Sequence, residues 1–169
     1  MSKKILLISP VPSHPQNAGN RSRIYNLALN LRELGHEVHF LYITQEDGNL
    51  EAMRSFWQDK FYHFSYTPPP TRDKQRPKRI DRKIIRKINA LLGSDPLFTY
   101  SLDDWYDNNL NYFVSKICKN INFDIVVVTY VFWSKILDIF DNNVLKIIDQ
   151  SDRFTNRYKI YQKNGQYPR

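Results

Sequence analysis

Lys4 to Pro10 (KILLISP), Val11 to Asn20 (VPSHPQNAGN) and Arg21 to Ile43 (RSRIYNLALNLRELGHEVHFLYI) form the stretch whose reading decides the fold. Ile5 to Ile8 is an all-apolar run stopped by Ser9-Pro10, the composition of a strand buried on both faces of a parallel sheet. From Ile24 the apolar residues fall at Leu27, Leu31 and Leu34 with Ala28 beside them, which is one face of a helix. Gly35 is placed to end that helix, because a residue without Cβ takes the left-handed C′ conformation at no steric cost. Val38, Phe40, Tyr42 and Ile43 make the next strand. Strand, helix and strand so closely spaced predict a right-handed βαβ unit, with its first loop at the carboxyl edge of the sheet. Open α/β sheets bind their ligands at that edge.

Outward from this unit the pattern repeats less cleanly. Gln45 to Asn49 is a turn, Leu50 to Lys60 a short helix, and Phe61 to Tyr66 an aromatic strand. Thr67-Pro68-Pro69-Pro70 halts regular structure, and Pro77 keeps the chain irregular, so residues 67–79 read as a Pro-rich, basic insert. Ile80, Ile84, Ile85, Ile88, Leu91 and Leu92 form a helical stripe flanked by Arg82, Lys83, Arg86 and Lys87, closed by Gly93 and Pro96. A helix is expected over Leu102 to Asn122, with Ser101 or Asp103 as its N-cap. Ile125 to Thr129 (IVVVT) is a second buried strand; a short helix over Phe132 to Phe140 and a strand over Val144 to Ile148 follow. The residues after Asp152 are polar and weakly helical, and the chain has no internal repeat. The expected fold is α/β: one Rossmann-like domain with a mostly parallel twisted sheet of about five or six strands and helices on both faces.

Composition narrows the function. At 169 residues the chain holds one domain with a substantial core. The single cysteine, Cys118, excludes an internal disulfide and a multi-cysteine metal site, and its place in the series Leu110, Phe113, Val114, Ile117, Cys118, Ile121 is that of a buried helix face. The apolar run before Ser9 and Pro10 is only Ile5 to Ile8, short of a secretory signal, and no run approaches a membrane span. A cytoplasmic protein follows, with room for peripheral contact at the inner face of a membrane. Net charge is +8, and residues 72–88 alone hold nine Lys/Arg against two Asp. Almost all the basic character therefore belongs to one segment.

The carboxyl-edge loops hold the candidate chemistry. A dinucleotide site wants G-x-G-x-x-G after the first strand and an acid after the second. Glu46 or Asp47 could supply the acid, but the loop has only Gly19, and no G-x-x-x-x-G-K-[ST] run exists. NAD binding and Walker-type hydrolysis are not supported. Gly19, Asn20, Arg21 and Arg23 stand at the mouth of a helix, where free backbone N–H groups and partial positive charge suit a phosphate and a glycine permits close approach. The same residues would also make an ordinary helix cap. Among the histidines, His14 reads as a solvated loop residue, His36 as a turn residue, and His39 as pointing to solvent from its strand.

Together, KILLISPVP, the loop with Gly19, RIYNLALNLRELGHEVHFLYI, FDIVVVTYVFWSKIL and LKIIDQSDRFTNRY resemble the amino-terminal half of GT-B glycosyltransferases, family four in particular. The resemblance spans both ends of the chain and is weakest over residues 50–100. It implies a retaining, metal-independent transfer of a sugar from a nucleotide-sugar to a glycan or lipid-linked acceptor, with no cofactor beyond the nucleotide-sugar co-substrate. This half would bind mainly the acceptor. Gly19, Asn20 and Arg23 would lie beside the donor diphosphate, and Asp149 to Asp152 would approach the reacting sugar, with Asp149 and Asp152 the catalytic candidates. Relatives often carry His beside the second Asp of that loop (D-T-H-D), where this chain has Ser151, so any polarising role of that His must weaken or pass to an aspartate. Asp152 could equally N-cap a following helix. The family continues into a donor-binding domain with a pair of glutamates that these residues do not include, so the expectation is that the 169 residues alone do not turn over.

The basic segment keeps three readings: a solvated amphipathic helix, an interfacial helix on anionic lipid, or a nucleic-acid-binding surface. Arg79, Arg82, Lys83, Arg86 and Lys87 would form the acceptor or lipid surface. Nucleic acid is the weakest of the three, because no recognisable binding module accompanies the charges. The alternative to an enzyme is a non-catalytic α/β binding module acting through residues 72–88.

Overall fold

The computed structural model describes residues 1–67 and 106–150. Five strands form one all-parallel sheet in the order β3-β2-β1-β4-β5. They are β1 (Lys4–Ser9), β2 (Glu37–Ile43), β3 (Phe61–Phe64), β4 (Ile125–Thr129) and β5 (Leu145–Asp149). Among the described residues the helices are α1 (Gly19–Glu33), α2 (Leu50–Trp57), a 3-10 turn at Gln58–Lys60, α3 (Asn109–Cys118) and a 3-10 helix over Val131–Ile139. The expected α/β fold with a parallel sheet and helices on both faces is what forms.

Alternation along the central strands divides the core. Leu6, Ile8, Leu41, Ile43, Val126 and Val128 face α3 and the 3-10 helix, where Leu110, Val114, Trp133 and Ile136 meet them. Ile5, Leu7, Val38, Phe40, Tyr42 and Val127 face α1 and α2, meeting Ile24, Ala28, Met53 and Trp57. Each fully buried Leu or Ile contributes about 1.5–3 kcal/mol relative to exposure. Burial on both faces explains why β1 and β4 are apolar without interruption. The amino edge is tied by Asp124, whose carboxylate accepts from the Lys4 N–H at 2.8 Å and from Lys3 Nζ at 3.0 Å. These bonds hold its pKa below the usual carboxylate range, the Lys4 backbone bond contributing most.

Several elements differ from the sequence expectation. Gly35 does close α1 with φ +84, and the His36 N–H bonds back to Leu31 O at 3.1 Å, but Leu34 sits at the C-cap, 73% exposed, and leaves the apolar stripe. His39 is 3% exposed rather than solvent-facing, because a second helical layer covers that face of β2. Its Nε2 bonds Glu37 at 2.8 Å and its Nδ1 meets the Tyr62 hydroxyl at 3.2 Å. The aromatic strand stops at Phe64 instead of Tyr66. Of the helix expected over Leu102 to Asn122, residues 102–105 and the N-cap candidates Ser101 and Asp103 lie outside the described residues. Among those described it runs from Asn109 to Cys118, Tyr106 and Asp107 are not helical, and the Asp107 carboxylate accepts the Asn109 N–H at 2.9 Å. Cys118 is half-buried against the core, and burial pushes its thiol up. The segment after β4 winds as a 3-10 helix, bringing Trp133 and Ile136, three apart, into the core.

Candidate functional site

In this strand order the chain leaves β1 toward β2 and returns to β4 on the other side. The crevice between the carboxyl ends of β1 and β4 is therefore the topological switch point. Loop 1, residues 10–18, and the first turn of α1 stand on one side of it, and the ends of β4 and β5 on the other.

Loop 1 is held by bonds into the β2–α2 turn and α2. Ser9 Oγ donates to Val11 O at 2.8 Å and accepts from the Val11 N–H at 3.0 Å, which turns the chain out of the sheet. Trp57 Nε1 donates to Ser13 Oγ at 2.9 Å, and the Asn49 N–H donates to His14 O at 3.0 Å. Gly48 lies so close to Pro12 that a Cβ there would fall 2.5 Å from the proline Cβ. His14 is half-buried rather than solvated, with its ring centroid 5.3 Å from Tyr25 and 5.0 Å from Phe56.

At the mouth of α1, Ala18 is the N-cap and has no side chain to cap the helix, and no acidic residue lies in the first turn. No carboxylate offsets the partial positive charge of that helix end. Gly19 occupies an open position: a Cβ built on it meets nothing within 4 Å. Neither backbone nor neighbours require glycine there, which leaves room for something approaching from outside. Asn20 Oδ1 accepts the Arg21 N–H at 2.9 Å. Arg21 is committed to the β2–α2 turn, with Nη2 at 2.9 Å from Asp47 O and 3.3 Å from Glu46 Oε2. Glu46 and Asp47 thus brace an arginine.

Arg23 reaches across the crevice. Its Nη1 lies 2.8 Å from Asp149 Oδ1 and 2.7 Å from Oδ2, joining the fifth residue of α1 to the last residue of β5. The pair is partly buried, at 37% and 22% side-chain exposure. Asp149 faces α1 because Thr129, its register partner on β4, lies on that face. Tyr130, the residue after β4, has φ 67 and ψ 129 and donates its N–H to Asp149 O at 3.0 Å. A non-glycine residue held there costs about 1–3 kcal/mol, which the surrounding structure must offset. Thr129 Oγ1 donates to Ile8 O at 3.3 Å, lacing β4 to β1 beneath the crevice.

Of the sequence candidates, Gly19, Asn20, Arg23 and Asp149 converge on this edge. Asp152, Ser151, Arg79, Arg82, Lys83, Arg86, Lys87, the insert over 67–79 beyond Thr67 and the helix over Ile80 to Leu92 lie outside the described residues. Tyr130, Ser13 and Gly48 are site features that the sequence reading missed. Only the loop position of Ser13 and the turn setting of Gly48 were visible in sequence, and nothing local marks the backbone of Tyr130. Among the described residues no group of three or more His, Cys, Asp or Glu could hold a metal ion, and no helix is long and apolar enough to cross a membrane. An open depression of about 380 Å³ along Asn142 to Lys146 lies at the amino end of β5, away from the crevice. No protein-family model matches the chain, and no curated protein does so either.

Proposed function

We propose that this chain is the acceptor-side domain of a retaining, metal-independent glycosyltransferase that moves a sugar from a nucleotide-sugar to a glycan or lipid-linked acceptor. The observation that carries this reading is the Arg23–Asp149 pair, which joins the α1 mouth and the β5 terminus over the switch point. The start of α1, which its N-cap Ala18 leaves without a capping side chain, and the open space at Gly19 fit a diphosphate approaching the Gly19 and Asn20 amides. Asn20 would bound that position, and Arg23 would share its charge between the phosphate and Asp149. Asp149, held by Arg23 and the Tyr130 N–H, would present a carboxylate toward the transferred sugar. Asp152 would follow it in the same loop. In this reading the protein works in the cytoplasm on glycan assembly, and the basic residues Arg79 to Lys87 would meet an anionic acceptor or membrane surface.

The test is release of nucleoside diphosphate from a panel of nucleotide-sugars, in EDTA, by the protein expressed from its complete natural reading frame. Turnover that survives EDTA and falls at least tenfold in Asp149→Asn supports the reading. Absence of turnover with every donor, or turnover indifferent to Asp149→Asn, overturns it.

A further inference from the structure

We propose that Ser13 and His14 form an acid-sensitive latch on loop 1, which keeps its folded shape only while the His14 imidazole is neutral. The argument is one of hydrogen-bond direction. Ser13 is fully buried, and its Oγ meets Trp57 Nε1 at 2.9 Å and His14 Nδ1 at 3.0 Å. An indole N–H can only donate, so it takes a lone pair of the serine oxygen. The serine hydrogen must then be given to His14 Nδ1, its one acceptor among the described residues. That fixes His14 as the neutral tautomer with its hydrogen on Nε2. Protonation puts a hydrogen on Nδ1 as well, and the serine O–H is left buried with nothing to receive it.

The surroundings do nothing to favour a charged ring. Tyr25 of α1 and Phe56 of α2 flank the imidazole, and the Arg32 guanidinium lies 5.1 Å over the Phe56 ring, adding positive charge to the same aromatic cluster. The other contacts to this residue are Ser13 in the loop and the Asn49 N–H at the start of α2. No carboxylate among the described residues bonds to His14. Burial accordingly holds its pKa below the ordinary histidine value. The sign follows: the latched loop binds fewer protons than the open one, so the latch is intact above about 6.5, the ordinary histidine value, and weakens as pH falls below it. Once His14 is charged only in the open loop, the latched fraction falls by up to about tenfold per pH unit.

The consequence is regulatory. Loop 1 runs directly into Gly19, Asn20 and Arg23, so acidification would dismantle the carboxyl-edge site without altering any group in it. This holds whatever ligand the site takes, and its failure would leave the proposed transferase reading untouched.

The experiment uses the uniformly ¹⁵N-labelled 169-residue chain between pH 7.5 and 5. Long-range ¹H–¹⁵N spectra are expected to show His14 with its hydrogen on Nε2. Amide exchange, corrected for intrinsic pH dependence, is expected to show Asn49 losing protection as pH falls while Val127 in β4 does not. His14→Gln keeps an acceptor for Ser13 and cannot titrate, so its Asn49 protection should be flat with pH; His63→Gln should keep the wild-type step. A hydrogen on Nδ1, a wild-type Asn49 indifferent to pH, or the same step in His14→Gln each overturns the proposal. The wild-type tautomer decides it even if the glutamine variant does not fold.

Discussion

Removing the Arg23–Asp149 pair should separate two elements that little else joins. β5 is an edge strand with Leu145, Ile147 and Ile148 at 56%, 38% and 44% exposure, so side-chain packing anchors it weakly. Two unit charges about 4 Å apart attract by roughly 4 kcal/mol at an effective dielectric of 20. Desolvation and the ordering of a long side chain offset part of that gain. Fully exposed pairs measure roughly 0.2–1 kcal/mol, and hydrogen bonds to charged groups contribute about 1.5–3 kcal/mol. With side chains 37% and 22% exposed, the pair falls between these limits. A double-mutant cycle over Arg23→Ala, Asp149→Ala and the double variant should therefore give a coupling of about 1–2 kcal/mol. The assay is urea denaturation at low salt, repeated at about 1 M salt, where the screening length shrinks to ~3 Å and the coupling should fall. Exchange of the Tyr130 amide, which donates to Asp149 O, should quicken in both single variants. A coupling under about 0.3 kcal/mol, or one unchanged by salt, would refute the view that the pair fastens α1 to β5.

Other perturbations have equally definite outcomes. Gly48→Ala forces a methyl 2.5 Å from the Pro12 Cβ and should destabilise by about 1–3 kcal/mol, read as a lower urea midpoint. Gln58 is exposed with φ 55 and ψ −126, so Gln58→Gly should relieve strain and raise the melting temperature by about 2–4 °C. His63 has its pKa lowered by burial and then by the Arg54 charge, so stability from keeping it neutral is lost as pH falls below about 6.5. Urea midpoints at pH 7 and 5 should differ less in His63→Gln than in wild type. The Glu37 carboxyl is lowered chiefly by its bond to His39; its contribution is present above the ordinary glutamate value and disappears as pH falls through the depressed one. Glu37→Gln should accordingly flatten the acid limb of the stability profile.

The parts of the fold legible in sequence were those that rest on local patterns. The unbroken apolar runs of β1 and β4 announced strands covered on both faces, and Gly35 marked the end of α1 because the left-handed cap it occupies is a glycine conformation. His39 misled for the same reason that Leu6 did not: alternation tells faces apart but cannot say that both faces are covered. The 3-10 winding after β4 was hidden because apolar residues three and four apart fit either helix. The strand expected over Val144 to Ile148 forms one residue later, as Leu145–Asp149, and its exposure comes from its place at the sheet edge, which is a property of topology. The site was half legible. Gly19, Asn20 and Arg23 were picked out by the rule that loops at the carboxyl edge bind ligands, and Asp149 by the family resemblance, whereas the pairing of Arg23 with Asp149, 126 positions apart, depends on register across two strands. The bond between Trp57 and Ser13 is long-range in the same sense, so the buried state of His14 could not be read from its neighbours in sequence.

The central claim is that a phosphate-bearing ligand approaches the backbone at the mouth of α1. Gly19→Ala tests it, because a Cβ there meets nothing within 4 Å and no positive φ demands glycine. The measurement pairs the urea midpoint with the nucleotide-sugar turnover assay that tests the proposed function. The account predicts an unchanged or slightly raised midpoint, since alanine stabilises compatible glycine sites by about 0.4–1 kcal/mol, together with turnover lower by about a hundredfold from a displaced diphosphate. A variant as stable as wild type that turns over at the wild-type rate would contradict it.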